Sequence, residues 1–169
     1  MPLPFEDRFL DTEYGTVHVV VSGLEDGPPM LLLHASGVGS WSWRLNAAAL
    51  GAEFQLFAID LIGDAGKSEY DDLTNIMHTR EDQAALYDAI MAQLGIPGSA
   101  VVVGASEGGF IASNLAVHQP ERVERLILLG PMGYAGATGA VLRIMGAQFF
   151  PLEPFKTPRS AGRSQMLPM

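Results

Sequence analysis

Four short apolar runs constrain the fold most. They cover residues 30–34, 54–59, 100–103 and 123–129, each bounded by turn-forming residues. Runs this short suit strands buried on both faces of a sheet better than helices. Between them lie stretches with helical spacing, residues 41–50, 79–94 and 107–118. Strands alternating with helices of ten to fifteen residues imply a parallel sheet covered on both sides. The expected fold class is therefore α/β, a doubly wound and mostly parallel sheet. Two earlier strands, residues 8–11 and 16–22, flank Tyr14-Gly15 and read as a hairpin.

Local signals place the helix ends. Ser40 is the expected N-cap of the first helix. Thr79 and Asp82 make a capping-box-like start to the second, and Gly95 and Pro97 end it. Residues 61–75 are rich in Gly and Asp and read as a loop. From residue 134 to 150 a weak helical pattern persists, and from Pro151 onward prolines replace any period. The expected division is a core over residues 1–133, followed by the opening of a helical cap and an irregular tail over 134–169.

Composition narrows the function. The chain has 169 residues, 48% apolar and 17% charged, which suits one domain with a substantial core. Acids outnumber Lys and Arg by 19 to 10, for a formal net charge of -9. An acidic surface repels phosphate backbones and anionic headgroups, so neither nucleic acid nor a membrane is an expected partner. There is no cysteine, which excludes disulfides and thiol nucleophiles. Residues 1–11 lack the basic-then-apolar order of a signal peptide. The expectation is a soluble cytoplasmic protein acting on a small molecule, with no metal and no cofactor.

The most informative segment is Gly104-Ala105-Ser106-Glu107-Gly108. It matches the G-x-S-x-G nucleophile elbow, whose confirming context is a strand before it and a helix after it. Both flanks fit here. A serine on so sharp a turn needs small neighbours, which Gly104 and Gly108 supply. The plainer alternative is a tight strand-to-helix connection with no catalytic role. A dinucleotide fingerprint fits less well, because Ser106 would stand where a glycine must admit the pyrophosphate.

The second constellation is His34-Ala35-Ser36-Gly37-Val38-Gly39, between a buried strand and a helix. A loop there can aim a backbone N–H at a developing oxyanion. The N–H groups of Ser36 and Glu107 are the expected pair of donors. For the His34 side chain, a bond to neighbouring backbone is the plainer role and pocket lining the other. Trp41, Trp43, Met132 and Tyr134 are candidates to line an apolar pocket, or simply to pack. Gly66-Lys67-Ser68 imitates the end of a Walker A loop, but Leu61 stands where that loop needs glycine.

Together these segments resemble the α/β-hydrolase superfamily over residues 14–132. The markers are His34-Ala35-Ser36-Gly37, Asp60-Leu61-Ile62-Gly63 with Gly66-Lys67-Ser68, the elbow, and Gln119-Pro120-Glu121-Arg122-Val123 before Leu126-Ile127-Leu128-Leu129. The resemblance implies esterase-like chemistry on a carbonyl substrate. Ser106 would be the nucleophile, and Ser36 and Glu107 the oxyanion hole. Two departures stand out: Ala35 replaces a common glycine, and the Asp60 loop is one residue longer than the commoner form.

What the sequence lacks is equally specific. A serine needs a base, and the base an orienting acid; the resemblance implies that they follow in the order Ser, acid, His. The one histidine after Ser106 is His118, in the same helix and about 18 Å along it. His118 is expected to meet the carbonyls at that helix's end. His78 precedes a helix that begins at the sheet's C-terminal edge, but its order is wrong. The acids Glu107, Glu121, Glu124 and Glu153 do not suit the orienting role. The expected reading is an α/β hydrolase sheet truncated after about the sixth strand. Two alternatives stay open: a non-catalytic binding protein on the same scaffold, and a nucleotide- or flavin-binding α/β domain. A sheet stopped there exposes an edge through which chains can self-associate.

Overall fold

The structure, a computed structural model, describes residues 3–133. They form a seven-stranded sheet in the order β1-β2-β4-β3-β6-β7, with β5 paired to β2 off that path. β1 (Phe5–Thr12) and β2 (Gly15–Gly23) make the hairpin around Tyr14-Gly15, with Phe5 opposite Ser22. β2 runs antiparallel to β4 (Gln55–Ile59). From β4 the sheet is parallel, through β3 (Pro29–Leu33) and β6 (Ala100–Ala105) to β7 (Val123–Leu129). The two-residue strand β5 (Glu69–Tyr70) lies inside the stretch read as loop, too short to leave a period.

After β3 the chain turns to one side to reach β4, then returns to the other side to place β6. The order therefore switches between β3 and β6, and open α/β sheets bind ligands at that kind of switch, beyond the carboxyl ends of the strands. The loop after β3 carries Ser36, and the turn after β6 carries Ser106.

The pleat divides each central strand between two cores. Leu31, Leu33, Phe57, Ile59 and Val102 face one way, against Leu86, Ile90 and Met91 of α2 (Arg80–Gln93) and Ile111 and Leu115 of α3 (Glu107–His118). Met30, Leu32, Leu56, Ala58, Val101 and Val103 face the other way, with Trp43 and Ala47. Trp43 is thus a core residue.

α2 starts as expected. Thr79 accepts the Asp82 N–H, and the Asp82 carboxylate accepts the Thr79 N–H. The first helical stretch differs from expectation. It is a 3₁₀ turn over Ser40–Leu45 followed by the short α1 (Ala47–Leu50), and its N-cap is Gly39, with no side-chain cap bond. Ser40 sits inside the turn, buried, and its N–H goes to the Asp60 carboxylate at 2.6 Å. A distant carboxylate has replaced the local cap.

β7 ends the sheet among the described residues, and Leu126, Ile127 and Leu129 on it are exposed. No helix of the described residues is long and apolar enough to cross a membrane. The expected cap and tail, residues 134–169, lie outside the described residues.

Candidate active site

Ser106 joins β6 to α3 with φ 49° and ψ −108°. Among the described residues it is the one non-glycine with positive φ. Such a conformation costs on the order of 1–3 kcal/mol and persists only where the surroundings impose it. Here they do. The Ser106 N–H donates to the Leu129 carbonyl at 3.0 Å, and its own carbonyl accepts from Met132 at 2.9 Å and Phe110 at 3.2 Å. The end of β7 and the turn after it thus hold the residue from both sides. Gly104 and Gly108 have no room for a side chain: a Cβ on either would collide with backbone.

The loop after β3 lies directly alongside. Leu33 pairs with Gly104 in register, and the Gly108 N–H donates to the His34 carbonyl at 3.1 Å. Ser36 and Glu107 are therefore carried on adjoining segments, both half-buried. Neither N–H has a hydrogen-bond acceptor among the described residues. The Glu107 N–H also belongs to the first turn of α3, where free donors and the helix dipole favour negative charge.

The His34 ring is fully buried and bonded to backbone through both nitrogens. Nδ1–H donates to the Ala35 carbonyl at 2.7 Å, and Nε2 accepts the Leu61 N–H at 3.0 Å. No ring nitrogen is left to face a ligand. Trp41 is half-exposed and lines a cavity of ≈ 350 Å³ with Asp7, His18, Asp60 and Lys67. Met132 lines a different cavity of ≈ 180 Å³ with Arg80, Phe110 and Asn114, and adjoins the elbow through its backbone. Tyr134 lies outside the described residues.

Asp60, at the end of β4, organises the neighbourhood. Its buried carboxylate accepts N–H groups from Ser40 at 2.6 Å and Lys67 at 2.8 Å. It also contacts His18 Nδ1 at 2.7 Å, and His18 Nε2 reaches Asp7 at 2.6 Å. Burial pushes the Asp60 carboxyl up, but the donors outweigh it and hold it below its ordinary value of 3.8. A lowered folded pKa means a contribution to stability that is present above 3.8 and is lost as pH falls through the folded value. Acid unfolding followed by circular dichroism should therefore be shallower in Asp60→Asn, with lower stability at neutral pH. An unchanged acid limb in that variant would show that other carboxylates govern it. In the sequence Asp60 reads only as a motif marker, because its partners are up to 42 positions away.

None of the remaining histidines reaches the elbow. His78 is exposed; its backbone N–H donates to Asp82, and no bond joins its ring to Ser106 among the described residues. The His118 ring faces Glu81 of α2 at 3.7 Å, not the terminal carbonyls expected for it. The neighbouring helix supplies a charge that a reading of α3 alone does not contain.

A family model described as the alpha/beta hydrolase fold matches residues 28–152. The chain belongs to the α/β-hydrolase family. Carboxylesterase YbfK of Bacillus subtilis is 35% identical over 130 residues, covering 77% of this chain and 43% of that protein. The crystal structure of naproxen esterase from the same organism superposes with a TM-score of 0.72 at 34% identity, over 77% of this chain and 44% of the other. A putative epoxide hydrolase from Pseudomonas aeruginosa follows at 0.68 and 28%, over 76% and 42%. This α/β-hydrolase chain thus spans less than half the length of those relatives.

Proposed function

We propose that the chain carries the nucleophile half of an ester hydrolase acting on a small-molecule carbonyl substrate. The observation that carries this reading is the strained backbone of Ser106, imposed between a buried parallel strand and a helix N-terminus. Ser106 Oγ attacks the carbonyl carbon. The N–H groups of Ser36 and Glu107 receive the developing oxyanion. The alcohol leaves, and water then releases the acid from the acyl-serine. Two relatives, a carboxylesterase and a naproxen esterase, support an ester as the substrate class.

The base and its orienting acid have no candidates in reach among the described residues. We assign them to sequence outside the segment shared with the longer relatives. The test is a protein extended along its gene until it includes a downstream acid and histidine. It should hydrolyse p-nitrophenyl butyrate and lose about 10⁵-fold or more of its turnover in Ser106→Ala. An extended protein that has the histidine, ignores esters and resists fluorophosphonates would instead be a binding protein on this scaffold. Tight flavin or nucleotide binding in a titration would favour a nucleotide- or flavin-binding α/β domain.

The β7 edge is the second element of the reading. Leu126, Ile127 and Leu129 are 37%, 43% and 50% exposed on a strand with no outer partner among the described residues. An apolar edge of this kind pairs with other chains. The 169-residue chain should therefore run larger than a monomer in light scattering, and Ile127→Lys should shift it toward monomer. A monodisperse monomer at high concentration would rule the edge out as an association site.

A further inference from the structure

Ser36 is bracketed by two pinned peptide planes. The plane before it joins Ala35 to Ser36 and contains both the Ala35 carbonyl and the Ser36 N–H. His34 Nδ1–H holds that carbonyl. The plane after it contains the Gly37 N–H, which donates to both oxygens of the Asp64 carboxylate, at 2.8 and 3.0 Å. Peptide planes are rigid, so only φ and ψ of Ser36 lie between the two anchors.

The second anchor comes from far away in sequence and is itself tied down. Asp64 lies 27 positions beyond Gly37. Its N–H closes a turn onto the Leu61 carbonyl at 3.1 Å, and the Leu61 N–H is bonded to His34 Nε2. Asp64 Oδ1 also accepts the Ala65 N–H at 2.6 Å. The loop it restrains has little stiffness of its own. Gly37 and Gly39 take φ of 79° and 70°, and Gly37 is exposed. Glycines in that region are free to leave it, so local chain preference does not fix the Ser36 N–H.

We propose that Asp64 is a positioning residue, holding the Gly37 N–H so that the Ser36 N–H stays aimed at the oxyanion of an acyl transfer at Ser106. The inference rests on the reading of Ser106 as nucleophile. It gives a task to the loop after β4: the loop presents a carboxylate to the oxyanion segment. Asp60 performs the matching service three residues on, at the Ser40 N–H. Asp64 touches no reacting atom and acts through Gly37.

The test uses the 169-residue chain, a fluorophosphonate probe, and imidazole in solution as the base. Ser106 Oγ bonds to phosphorus, fluoride leaves, and imidazole takes the proton. Mass spectrometry locates the adduct, and its rate is followed against probe concentration. Asp64→Ala should lower the limiting rate about 10- to 100-fold while half-saturation stays within twofold, since misplacing a catalytic group by about 1 Å has that scale of effect. Asp64→Asn keeps one acceptor oxygen and should recover part of the rate. The Gly37 and Ser36 amide resonances should move in both variants. If Ser106 is labelled and Asp64→Ala labels within twofold of the parent, the inference is overturned and the nucleophile stands. If Ser106 is not labelled with imidazole present, the nucleophile reading falls and the inference with it. Should Asp64→Ala lose its dispersed amide spectrum, Asp64→Asn decides by the same rates.

Discussion

The 169-residue chain alone is expected to turn over p-nitrophenyl esters at least about 10⁴ times more slowly than a protein with a complete triad. The reason is the proton. A serine hydroxyl attacks poorly until a base removes its proton, and the four histidines are all accounted for elsewhere. His18 lies buried between Asp7 and Asp60, and His34 is bonded to backbone through both nitrogens. His118 faces Glu81, and His78 is exposed with no ring bond to Ser106 among the described residues. What remains on the proposed reading is electrostatic: the Ser36 and Glu107 N–H groups, which have no acceptor among the described residues, and a helix terminus. Preorganised donors alone retain about 10³- to 10⁴-fold acceleration over water when a triad is removed. That residue of activity does not pass through the serine, so Ser106→Ala and His78→Ala should each leave it within a factor of about three. Initial-rate spectrophotometry against the buffer blank reads the effect. Brisk turnover lost in both variants would show that His78 swings in as the base, and would overturn the reading of an absent base.

The central architecture was legible because it rests on local periodicity. Strands of five or six residues with all but one residue buried read as continuous apolar runs, and β3, β4, β6 and α3 lie within about two residues of the stretches read for them. Ser106 was legible because its turn demands small residues at fixed offsets. The features that escaped are set by partners distant in sequence. Ser40 looks like a cap, but a carboxylate 20 positions on takes its N–H and leaves Gly39 at the terminus. Asp64 looks like one more polar residue in a loop, and only the fold brings it to Gly37.

Gly108→Ala is expected to be among the most damaging single methyl groups in the described residues. A Cβ there would run into the Leu33 carbonyl oxygen and stand 2.6 Å from the His34 carbonyl oxygen. Both are backbone atoms of a buried strand end, which cannot rotate away as a flexible side chain would. Accommodating it means pushing α3 off β3 and breaking the 3.1 Å bond from the Gly108 N–H to His34. Overpacking of this kind costs on the order of 3 kcal/mol, and for a domain of this size that lowers the melting midpoint by about 10 °C. Gly98→Ala is the matched control. It adds the same methyl group at an exposed glycine with nothing within 4 Å, and should change stability by less than about 1 kcal/mol. Differential scanning fluorimetry on the pair separates a steric effect at the elbow from a general intolerance of added bulk. Equal melting points for the two variants would mean that β3 and α3 are not packed this closely. The same displacement widens the gap between Ser36 and Glu107. A Gly108→Ala protein that still folds at low temperature should therefore label at Ser106 more slowly than the parent, by a route independent of Asp64.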